Sequence, residues 1–460
     1  MSTAATPKDG ADSSTLGELA RVLSSIEFGA LDAATLDAAR ARVFDTLGAL
    51  VVGLQTHEGR LLRHSAERAS GGSAALDSAE RCRLFVGATR ATELDDIDVA
   101  SCTTVGSVVV PVALAVAARQ PRADGRAVLA AVAAGYEAMQ RLGRAIGGAT
   151  LIYRGVWPTY VTAPVAAAAT AAKLLGLDAA ATARALALAL TRTSSVPPAA
   201  LSRFGFRYYS LGCAAVEGAD ASFAAASGVE ADAEALAGFA QRVGVTLDAA
   251  ELVRPAGAPW LLREVDSKLW PTSRQALASV AAFRELKVTP EEVDGIERIV
   301  VAVPSAYRGM VDRAAPPAQR IESMIAVQHQ IALATFAPQV LDDALRRSVS
   351  TPPAFAALMA KVEVRADEGL DAYFPRKWGG RVTVRLRSGE ERTREMLDPD
   401  GGAARPLDLA AIKSKYARIF AASDVRQPDG WLRATRERCE RLGRSGGDVS
   451  TVAELLASID

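Results

Sequence analysis

The stretch Leu94-Asp95-Asp96-Ile97-Asp98, followed by Thr103-Thr104-Val105-Gly106-Ser107 and by Pro111, says most about what this chain is. Three carboxylates fall within four positions, next to small polar residues and an apolar run. Like charges this close repel one another and raise one another's pKa unless cations or a solvated pocket compensate. The pattern is therefore not that of an ordinary amphipathic element, and it indicates a candidate functional site.

The composition around this stretch predicts an Ala-rich, mostly helical protein. The chain has 460 residues, which is too long for one small core, so two domains are expected. Lys plus Arg and Asp plus Glu total 53 each, so no global field favours a nucleic acid or an anionic membrane. Half of the residues are hydrophobic but only 5% are aromatic, and alanine is the best helix former.

Cysteine usage and the N-terminus predict a cytoplasmic location. The four cysteines are scattered without a CxxC pair, so neither a disulfide framework nor a zinc site is expected. Residues 1–14 lack the basic-then-apolar order of a signal peptide and are expected to be disordered. The apolar stretches 107–118 and 163–177 are too short or too Ala-rich to span a bilayer.

Apolar spacing predicts helix after helix from Thr15 to about Leu262. In the first of them, Leu16, Leu19, Ala20 and Leu23 fall on one face. Gly53 is expected to stop the second helix, and Asp178 to cap the one that begins at 179. Further helical patterns cover residues 36–52, 128–142, 164–175 and 179–190, and lie within 203–226 and 232–243.

After Trp270 the pattern changes to mixed helix and strand. Residues 298–303, 361–365 and 381–387 are predicted strands, and 275–286 and 323–336 are predicted helices. From Asp408 the chain returns to helix and closes with a helix at 448–459. The predicted fold is mainly α with a smaller α+β domain: residues 15–265 and 405–460 form an all-helical domain, and 266–404 form an α+β lid.

Short motifs from about Thr15 to Leu455 resemble the MmgE/PrpD family, which includes 2-methylcitrate dehydratases and cis-aconitate decarboxylases. Besides the acidic stretch, they are VFDTLG (43–48), AGYE with RLG (134–137, 141–143), GVWPT with the helix after it (155–159, 166–177), GCAA with Gly218 (212–215), KLWP (268–271) and QHQIALA (328–334). Each motif is weak alone, but their order and spacing together are strong.

The resemblance implies a two-domain, homodimeric, cofactor-free lyase that acts on small carboxylic acids. Such enzymes bind carboxylates with Lys and Arg, remove a proton alpha to a carboxylate, and expel water or carbon dioxide. Negative charge grows on an enolate-like centre, so cations must be fixed around it. The reaction also needs a base and an acid with tuned pKa values. The pocket is expected where the two domains meet.

Position by position, Asp95 and Asp98 match the first and last aspartates of the family motif. The resemblance implies that one of them orients a catalytic group or handles a proton; alternatively, they cap a helix or pair with basic neighbours. Asp96 falls where an aromatic residue is usual and is expected to be solvated. Lys268 matches a family lysine and is expected to act on the substrate carboxylate.

Other residues are expected to line the substrate pocket. Arg207 stands at the position of a family lysine, where its fork fits a carboxylate bidentately, although a surface salt bridge is the alternative. Arg154 is a third candidate cation. The remaining candidates for substrate binding are Thr104, Trp157, Tyr208 and Ser273; for Tyr208, packing is the alternative.

The histidines of the family pattern are missing from this chain. Val105 and Trp157 stand at two of those positions. At a third, shortly after KLWP, the family has a polar residue and this chain has Ser273, with no histidine nearby. His329 falls at a family tyrosine and is hypothesised to be a relocated base, since imidazole suits proton transfer near neutral pH. The alternative is a hydrogen-bonded core histidine. His57 and His64 are expected on the surface, and no metal-ligand spacing is present.

These departures predict altered chemistry. Val105 and Trp157 should make the pocket more apolar, so the expected function is an MmgE/PrpD-type lyase for a less charged, bulkier carboxylic acid of specialised metabolism. One alternative is an isomerase, epimerase or cyclase that keeps the proton abstraction. The other is a catalytically silent binding or partner subunit. No cofactor, metal, nucleic acid or membrane partner is expected.

Overall fold

A computed structural model of the chain describes residues 14–73, 76–120, 123–193, 205–232, 234–257, 259–347, 349–444 and 449–459. These residues are mostly helical and carry one four-stranded sheet, which confirms the predicted fold class. The predicted disorder of residues 1–14 lies outside the described residues except for Ser14. That serine caps the first helix, because its hydroxyl accepts the Gly17 N–H at 3.1 Å.

Among the described residues, the N-terminal part is built from twelve helices, seven of which begin at a side-chain cap. Asp32 accepts the Thr35 N–H at 2.7 Å, and Asp178 accepts the Ala181 N–H at 2.7 Å, as the sequence predicts for Asp178. The helices are α1 Thr15–Ser24, α2 Ala33–Gly53, α3 His57–Ala69, α4 Ser78–Ala91, α5 Gly106–Ala117, α6 Gly125–Ala145, α7 Gly148–Leu151, α8 Pro158–Leu174, α9 Ala179–Thr191, α10 Phe206–Ala226, α11 Ala235–Val243 and α12 Ala249–Val253.

A small mixed sheet follows, with helices packed against it. Its strands are β1 Ile296–Val303, β2 Val362–Ala366, β3 Gly380–Leu386 and β4 Glu391–Met396, in the order β2-β1-β3-β4, with only the β1–β2 pair parallel. The helices are α13 Arg274–Glu285, α14 Arg308–Val311, α15 Arg320–Ile325, α16 Val327–Phe336, α17 Pro338–Leu341, α18 Pro353–Met359 and α19 Glu368–Asp371. Short 3₁₀ turns lie at Phe28–Ala30, Ile152–Arg154, Leu261–Glu264, Pro290–Gly295 and Ser305–Tyr307.

The closing helices α20 Leu409–Ser423, α21 Trp431–Arg441 and α22 Val449–Ala457 return to the N-terminal helices. Lys415 of α20 forms a buried ion pair with Asp45 of α2, with 2.6 Å between Nζ and Oδ1. The neighbouring Tyr416 donates to the Asp45 carbonyl at 2.6 Å, and its ring occupies the space that a Cβ at Gly48 would need. The predicted return of the C-terminus is therefore observed, while the boundaries at 265 and 405 stay predictions.

The acidic loop between α4 and α5 links the hydrophobic cores. Leu94 and Val105 belong to the helical core around α2, α5 and α8. Ile97 and Val99, between them in sequence, belong instead to the core that covers the sheet. The loop also makes an antiparallel bridge through Ile97 and Asp266. The carboxylates of this loop therefore lie at the junction of the helical and α+β portions.

None of the described helices combines the length and the apolar character needed to cross a membrane.

Candidate active site

A small cavity of about 50 Å³ lies beside the acidic loop. Its walls come from the end of α4, the acidic loop, the starts of α8 and α10, and the segment that leads into α13. The lining residues are Arg90, Glu93, Ile97, Cys102, Thr104, Ile152, Trp157, Thr159, Arg207, Lys268, Ser273, Arg274, Gln275, Met310 and Ile325. The cavity therefore lies where residues before and after the predicted boundary at 265 meet.

One side of the cavity is a buried ionic group, here called the Glu93 cluster: Arg90, Glu93, Asp95, Arg207 and Lys268. Glu93 contacts all three cations, at 2.8 Å from Arg90, 3.0 Å from Arg207 and 3.3 Å from Lys268. Asp95 lies 3.4 Å from Arg90 and 3.3 Å from Lys268. Three cations against two carboxylates leave the cluster with one excess positive charge.

Mutual pairing keeps these groups ionised although they are buried. Burial by itself raises the pKa of Glu93, but Arg90, Lys268 and Arg207 together hold it far below the ordinary value. Burial likewise disfavours the Arg90 cation, yet Asp95 and Glu93 raise the pKa of Arg90 above its usual range. Glu93 and Arg90 are therefore charged near neutral pH and are held in place before any ligand arrives.

The backbone at Glu93 makes the cluster possible. Glu93 has φ +56°, in the left-handed region that few residues other than glycine adopt. Thr92 supports the turn, because its hydroxyl accepts the Leu94 N–H at 3.0 Å. The Glu93 carbonyl in turn accepts the Thr272 N–H at 3.3 Å. This turn redirects the chain from α4 into the acidic loop and ties it to the segment that carries Lys268.

Trp157 holds the two arginines of the Glu93 cluster. The Arg90 and Arg207 guanidinium carbons each lie 5.7 Å from its ring centroid, within the range of cation–π attraction. Tyr208 adds a second aromatic contact to Arg207 at 4.7 Å and accepts a hydrogen bond from its Nη2 at 2.8 Å. At a position where the family pattern has a histidine, this chain thus has a platform for cations and not a proton carrier.

The structure brings together most of the residues predicted to bind substrate. Thr104, Trp157, Arg207, Lys268 and Ser273 line the cavity, Asp95 lies behind Lys268, and Tyr208 supports Arg207. The Thr104 N–H donates to Thr159 Oγ1 at 3.1 Å, which fixes that wall. Among the described residues, the buried Ser273 hydroxyl has no hydrogen-bond partner.

Two predicted residues lie elsewhere. Asp98 pairs bidentately with Arg144, at 2.7 and 3.1 Å, and accepts the Ser101 N–H at 3.1 Å, so it matches the alternative of a basic partner. Arg154 is exposed on a 3₁₀ turn and donates to the Gly244 carbonyl at 3.1 Å. Neither side chain is among those that line the cavity.

His329 is a core histidine and does not line the cavity. It lies buried on α16, with Nδ1 3.1 Å from the Ser323 hydroxyl and Nε2 3.4 Å from the Ser350 carbonyl. Burial lowers its pKa to about 4, so the ring is neutral near pH 7. His329 therefore matches the alternative of a hydrogen-bonded core histidine. His57 and His64 are exposed, as expected.

The expectation that Asp96 is solvated is wrong. Its side chain is buried, and it accepts hydrogen bonds from the Gly106 N–H at 2.7 Å and the Tyr136 hydroxyl at 2.5 Å. Burial raises its pKa to about 6. The acid takes the place of a core residue because it anchors the first turn of α5, a need that spacing alone does not reveal.

Sequence reasoning missed several lining residues. Arg90 and Glu93 stand three positions apart directly before the acidic motif, which is the signal that would have included them. Arg274 is held by Asp266 at 2.7 Å and by the Trp378 carbonyl at 3.1 Å. Burial raises the pKa of Cys102 to about 12 and keeps it a thiol. Gln275 donates to the Tyr153 hydroxyl at 3.3 Å.

Within the described part of the chain, no three His, Cys, Asp or Glu side chains are grouped so that they would hold a metal ion.

Fold and cavity define a mainly helical protein with a small α+β portion and a buried cationic cavity between them. In comparisons with known families, the model of the MmgE/PrpD N-terminal domain matches residues 17–251, and that of the MmgE/PrpD C-terminal domain matches residues 270–429. The chain therefore belongs to the MmgE/PrpD family, whose members are generally lyases and dehydratases. A search of curated proteins returned no match.

Proposed function

We propose that this chain is a lyase that acts on a carboxylic acid, removing a proton alpha to a carboxylate with loss of water or carbon dioxide. The observation that carries the proposal is the Glu93 cluster beside the cavity, in which the cations Arg90, Arg207 and Lys268 outnumber the carboxylates Glu93 and Asp95. Family membership supports lyase chemistry in general, and the cluster supports a carboxylate as the group that is bound.

Fixed cations suit a reaction that builds charge on a carboxylate. Removal of the alpha proton turns a carboxylate with one negative charge into an enediolate with nearly two. Cations that are already in place stabilise that second charge more than the first, and such differential binding is what accelerates the step. Arg90 and Arg207 are held by Glu93 and by the face of Trp157, so little reorganisation is needed.

Lys268 is the group to which we assign proton transfer. Among the described lining residues, the arginines do not lose protons, Glu93 is held as a carboxylate with a very low pKa, and Cys102 is a thiol with a pKa of about 12. A lysine can serve as amine or ammonium in a buried site. As an amine it takes the alpha proton, and as the resulting ammonium it protonates the departing hydroxyl, so that water leaves.

Asp95 is a positioning residue in this proposal. It contacts Lys268 at 3.3 Å from behind the cavity wall and makes no contact with the cavity itself. Among the described residues its Oδ2 has no hydrogen-bond partner, so Asp95 is held by Arg90 and Lys268 alone. Ser273, whose hydroxyl is also unpartnered there, is placed to bind a polar group of the substrate.

Isomerisation is a second candidate, favoured by the small number of proton carriers. Within the described residues, Lys268 is the one lining side chain to which we assign both the removal and the return of the proton. Trp157 fills a position where the family has a histidine. A single proton carrier that returns the proton to the same face of the same carbon produces exchange with retention, and it produces epimerisation only if the enediolate turns over before it is protonated again; neither outcome involves elimination.

Proton NMR in deuterated buffer tests these proposals with a panel of carboxylic acids that includes methylcitrate and cis-aconitate. We expect loss of the alpha-proton signal for a less charged acid, with elimination if the chain is a lyase and without it if it is an isomerase. Lys268→Ala should abolish both the exchange and the elimination.

Lys413→Ala on α20 and His329→Gln serve as controls that should retain activity. Binding without exchange for every acid would contradict the proposal and favour a silent subunit. Efficient turnover of methylcitrate or cis-aconitate would refute the less charged substrate.

A further inference from the structure

We propose that the ligand of this cavity carries one carboxylate and an otherwise uncharged, largely apolar body. The inference rests on the proposed function for the reaction, but the number of charges follows from the cavity itself. It assigns a substrate class that differs from the di- and tricarboxylic acids of the familiar relatives. Two independent features of the cavity support the proposal: the charge of its walls and their apolar surface.

The charged groups on the cavity wall can be counted with their direct ion-pair partners. The Glu93 cluster contributes three positive and two negative charges. Arg274 is neutralised by Asp266, which lies 2.7 Å away, and Cys102 remains an uncharged thiol. Among the described residues, four cations therefore face three carboxylates while Lys268 is an ammonium, and in that state the cavity has a net charge of +1.

One carboxylate matches this charge, and a second does not. A monoanion neutralises the excess and contacts cations that are already oriented. A dianion would leave a buried negative charge close to Glu93 and Asp95, without a cation to accompany it. Buried charges without partners are among the most unfavourable features of a binding site. The negative members of the Glu93 cluster thus select against additional carboxylates.

Part of the cavity lining is apolar. Ile97, Ile152, Met310 and Ile325 contribute aliphatic surface to the same cavity. Most polar groups of the lining already have hydrogen-bond partners within the protein: Thr104 bonds to Thr159, and Gln275 bonds to Tyr153. An alkyl or aryl body gains by leaving water for such a surface, whereas a second carboxylate or several hydroxyls would lose hydration there.

Isothermal titration with three acids built on one five-carbon chain tests the charge count. Pentanoate, glutarate and 3-carboxyglutarate carry one, two and three carboxylates. We expect pentanoate to bind the wild-type protein about tenfold more tightly than glutarate, with 3-carboxyglutarate weaker still. A preference for glutarate or 3-carboxyglutarate would overturn the inference, and so would failure of all three to bind.

Two charge variants sharpen the test. Glu93→Gln and Asp95→Asn keep side-chain shape and raise the cavity charge to +2, so each should shift the preference towards glutarate by about tenfold. Lys413→Ala, outside the cavity, should leave the order unchanged. Two variants are used so that the test stands if one of them does not fold, and circular dichroism identifies a folded variant. An unchanged preference in a folded variant contradicts the charge argument.

This inference and the proposed function fail in different experiments. The order of affinities is measured without turnover, so it stands even when no acid exchanges deuterium. Conversely, deuterium exchange into a dicarboxylic acid that binds more tightly than pentanoate would support the carbon-acid chemistry and refute the single carboxylate.

Discussion

Burial sets the protonation state of two residues outside the cavity in opposite directions. Asp96 has a pKa raised to about 6, and His329 has a pKa lowered to about 4, in both cases chiefly because desolvation disfavours the charged form. Each shift makes stability depend on pH, with opposite sign. Single substitutions separate the two contributions.

His329→Gln should remove an acid sensitivity of the fold. Because the folded-state pKa of about 4 lies below the ordinary 6.5, the unfolded chain binds more protons between these values. The stability due to a neutral His329 is complete above pH 6.5 and is lost as the pH falls towards 4, by about 3 kcal/mol in all. Thermal melts at pH 7 and 4.5 should show the wild type losing more stability than the variant.

The exposed His64→Gln is the matched control for this experiment and should melt in parallel with the wild type. Pentanoate binding should survive in His329→Gln, since the ring lies outside the cavity. Equal acid sensitivity of the wild type and His329→Gln would show that His329 titrates as it does in the unfolded chain.

Asp96→Asn should show the opposite dependence on pH. The folded-state pKa of about 6 lies above the ordinary 3.8, so the native state binds the extra proton in this window. Wild-type stability from this group therefore falls as the pH rises from 3.8 to 6, by about 3 kcal/mol in all. As the pH rises over that range, the stability of the neutral variant relative to the wild type should increase, and paired melts at pH 4.5 and 7 would detect the increase. A constant difference would contradict the raised pKa.

The sequence correctly predicted as cavity-lining those residues that stand in recognisable motifs. Lys268, Arg207 and Trp157 stand in recognisable motifs, and all three line the cavity. Asp98 and His329 were predicted from residue type at a matching position, but their partners, Arg144 and Ser323, are 46 and 6 residues away in sequence. Such partners are chosen by packing, so chemical type alone cannot separate a structural acid or base from one that faces substrate.

Among the elements, the crossing of α8 and α10 shows why small residues recur in this chain. At Gly218 a Cβ would overlap the Pro164 carbonyl and lie 2.6 Å from Pro164 Cα. Nearby, the Ser222 hydroxyl of α10 donates to the Ala168 carbonyl of α8 at 2.7 Å. The two backbones therefore approach closely, and Arg207 and Trp157, at the starts of these helices, depend on the same crossing.

Gly218→Ala should destabilise the protein by roughly 2 kcal/mol or more, because the helices must separate to accept one methyl group. Gly238→Ala on α11 is the matched control, since within the described part of the chain its Cβ would meet only the guanidinium end of Arg242, at 3.3 Å, and no backbone atom. There the higher helix propensity of alanine should add up to about 1 kcal/mol. Denaturant titration of both variants measures the difference, and equal stabilities would contradict the close approach.

Element prediction failed where periodicity and tertiary context disagree. The strand β4 was not predicted because its sequence, ERTREM, is charged; it pairs only with β3, at the edge of the sheet, where polar residues are tolerated. The predicted helix 323–336 is broken at Ala326, whose ψ of 110° is extended. The break permits the Gln330 amide to donate to the Met324 carbonyl at 2.9 Å, a contact no pattern shows.

For the whole molecule, the ion pair between Lys415 and Asp45 joins sequence positions 370 residues apart. Both side chains are buried, and burial lowers the pKa of Lys415. The importance of such a pair shows when one partner is removed, because the other is then left as a buried charge without compensation. The overall architecture was predictable from the family resemblance, but this contact, which fixes α20 to α2, was not.

Lys415→Met should cost about 3 kcal/mol or more, because the Asp45 carboxylate is left buried without its cation. The double variant Asp45→Leu with Lys415→Met should recover much of that loss, since neither charge remains. Denaturant titration of the single and double variants gives the coupling energy. A double variant less stable than Lys415→Met would show that the pair contributes more than charge compensation.

The stacking of two guanidinium groups on Trp157 also gives the cavity an optical signal of its own. The indole lines the cavity, whereas the other four tryptophans of the chain do not. A carboxylate that draws Arg90 and Arg207 towards itself changes the field on this fluorophore, so ligand binding should alter its emission. Occupancy can then be followed by intrinsic fluorescence without a label, and Trp157→Phe should silence the response while Trp270→Phe preserves it.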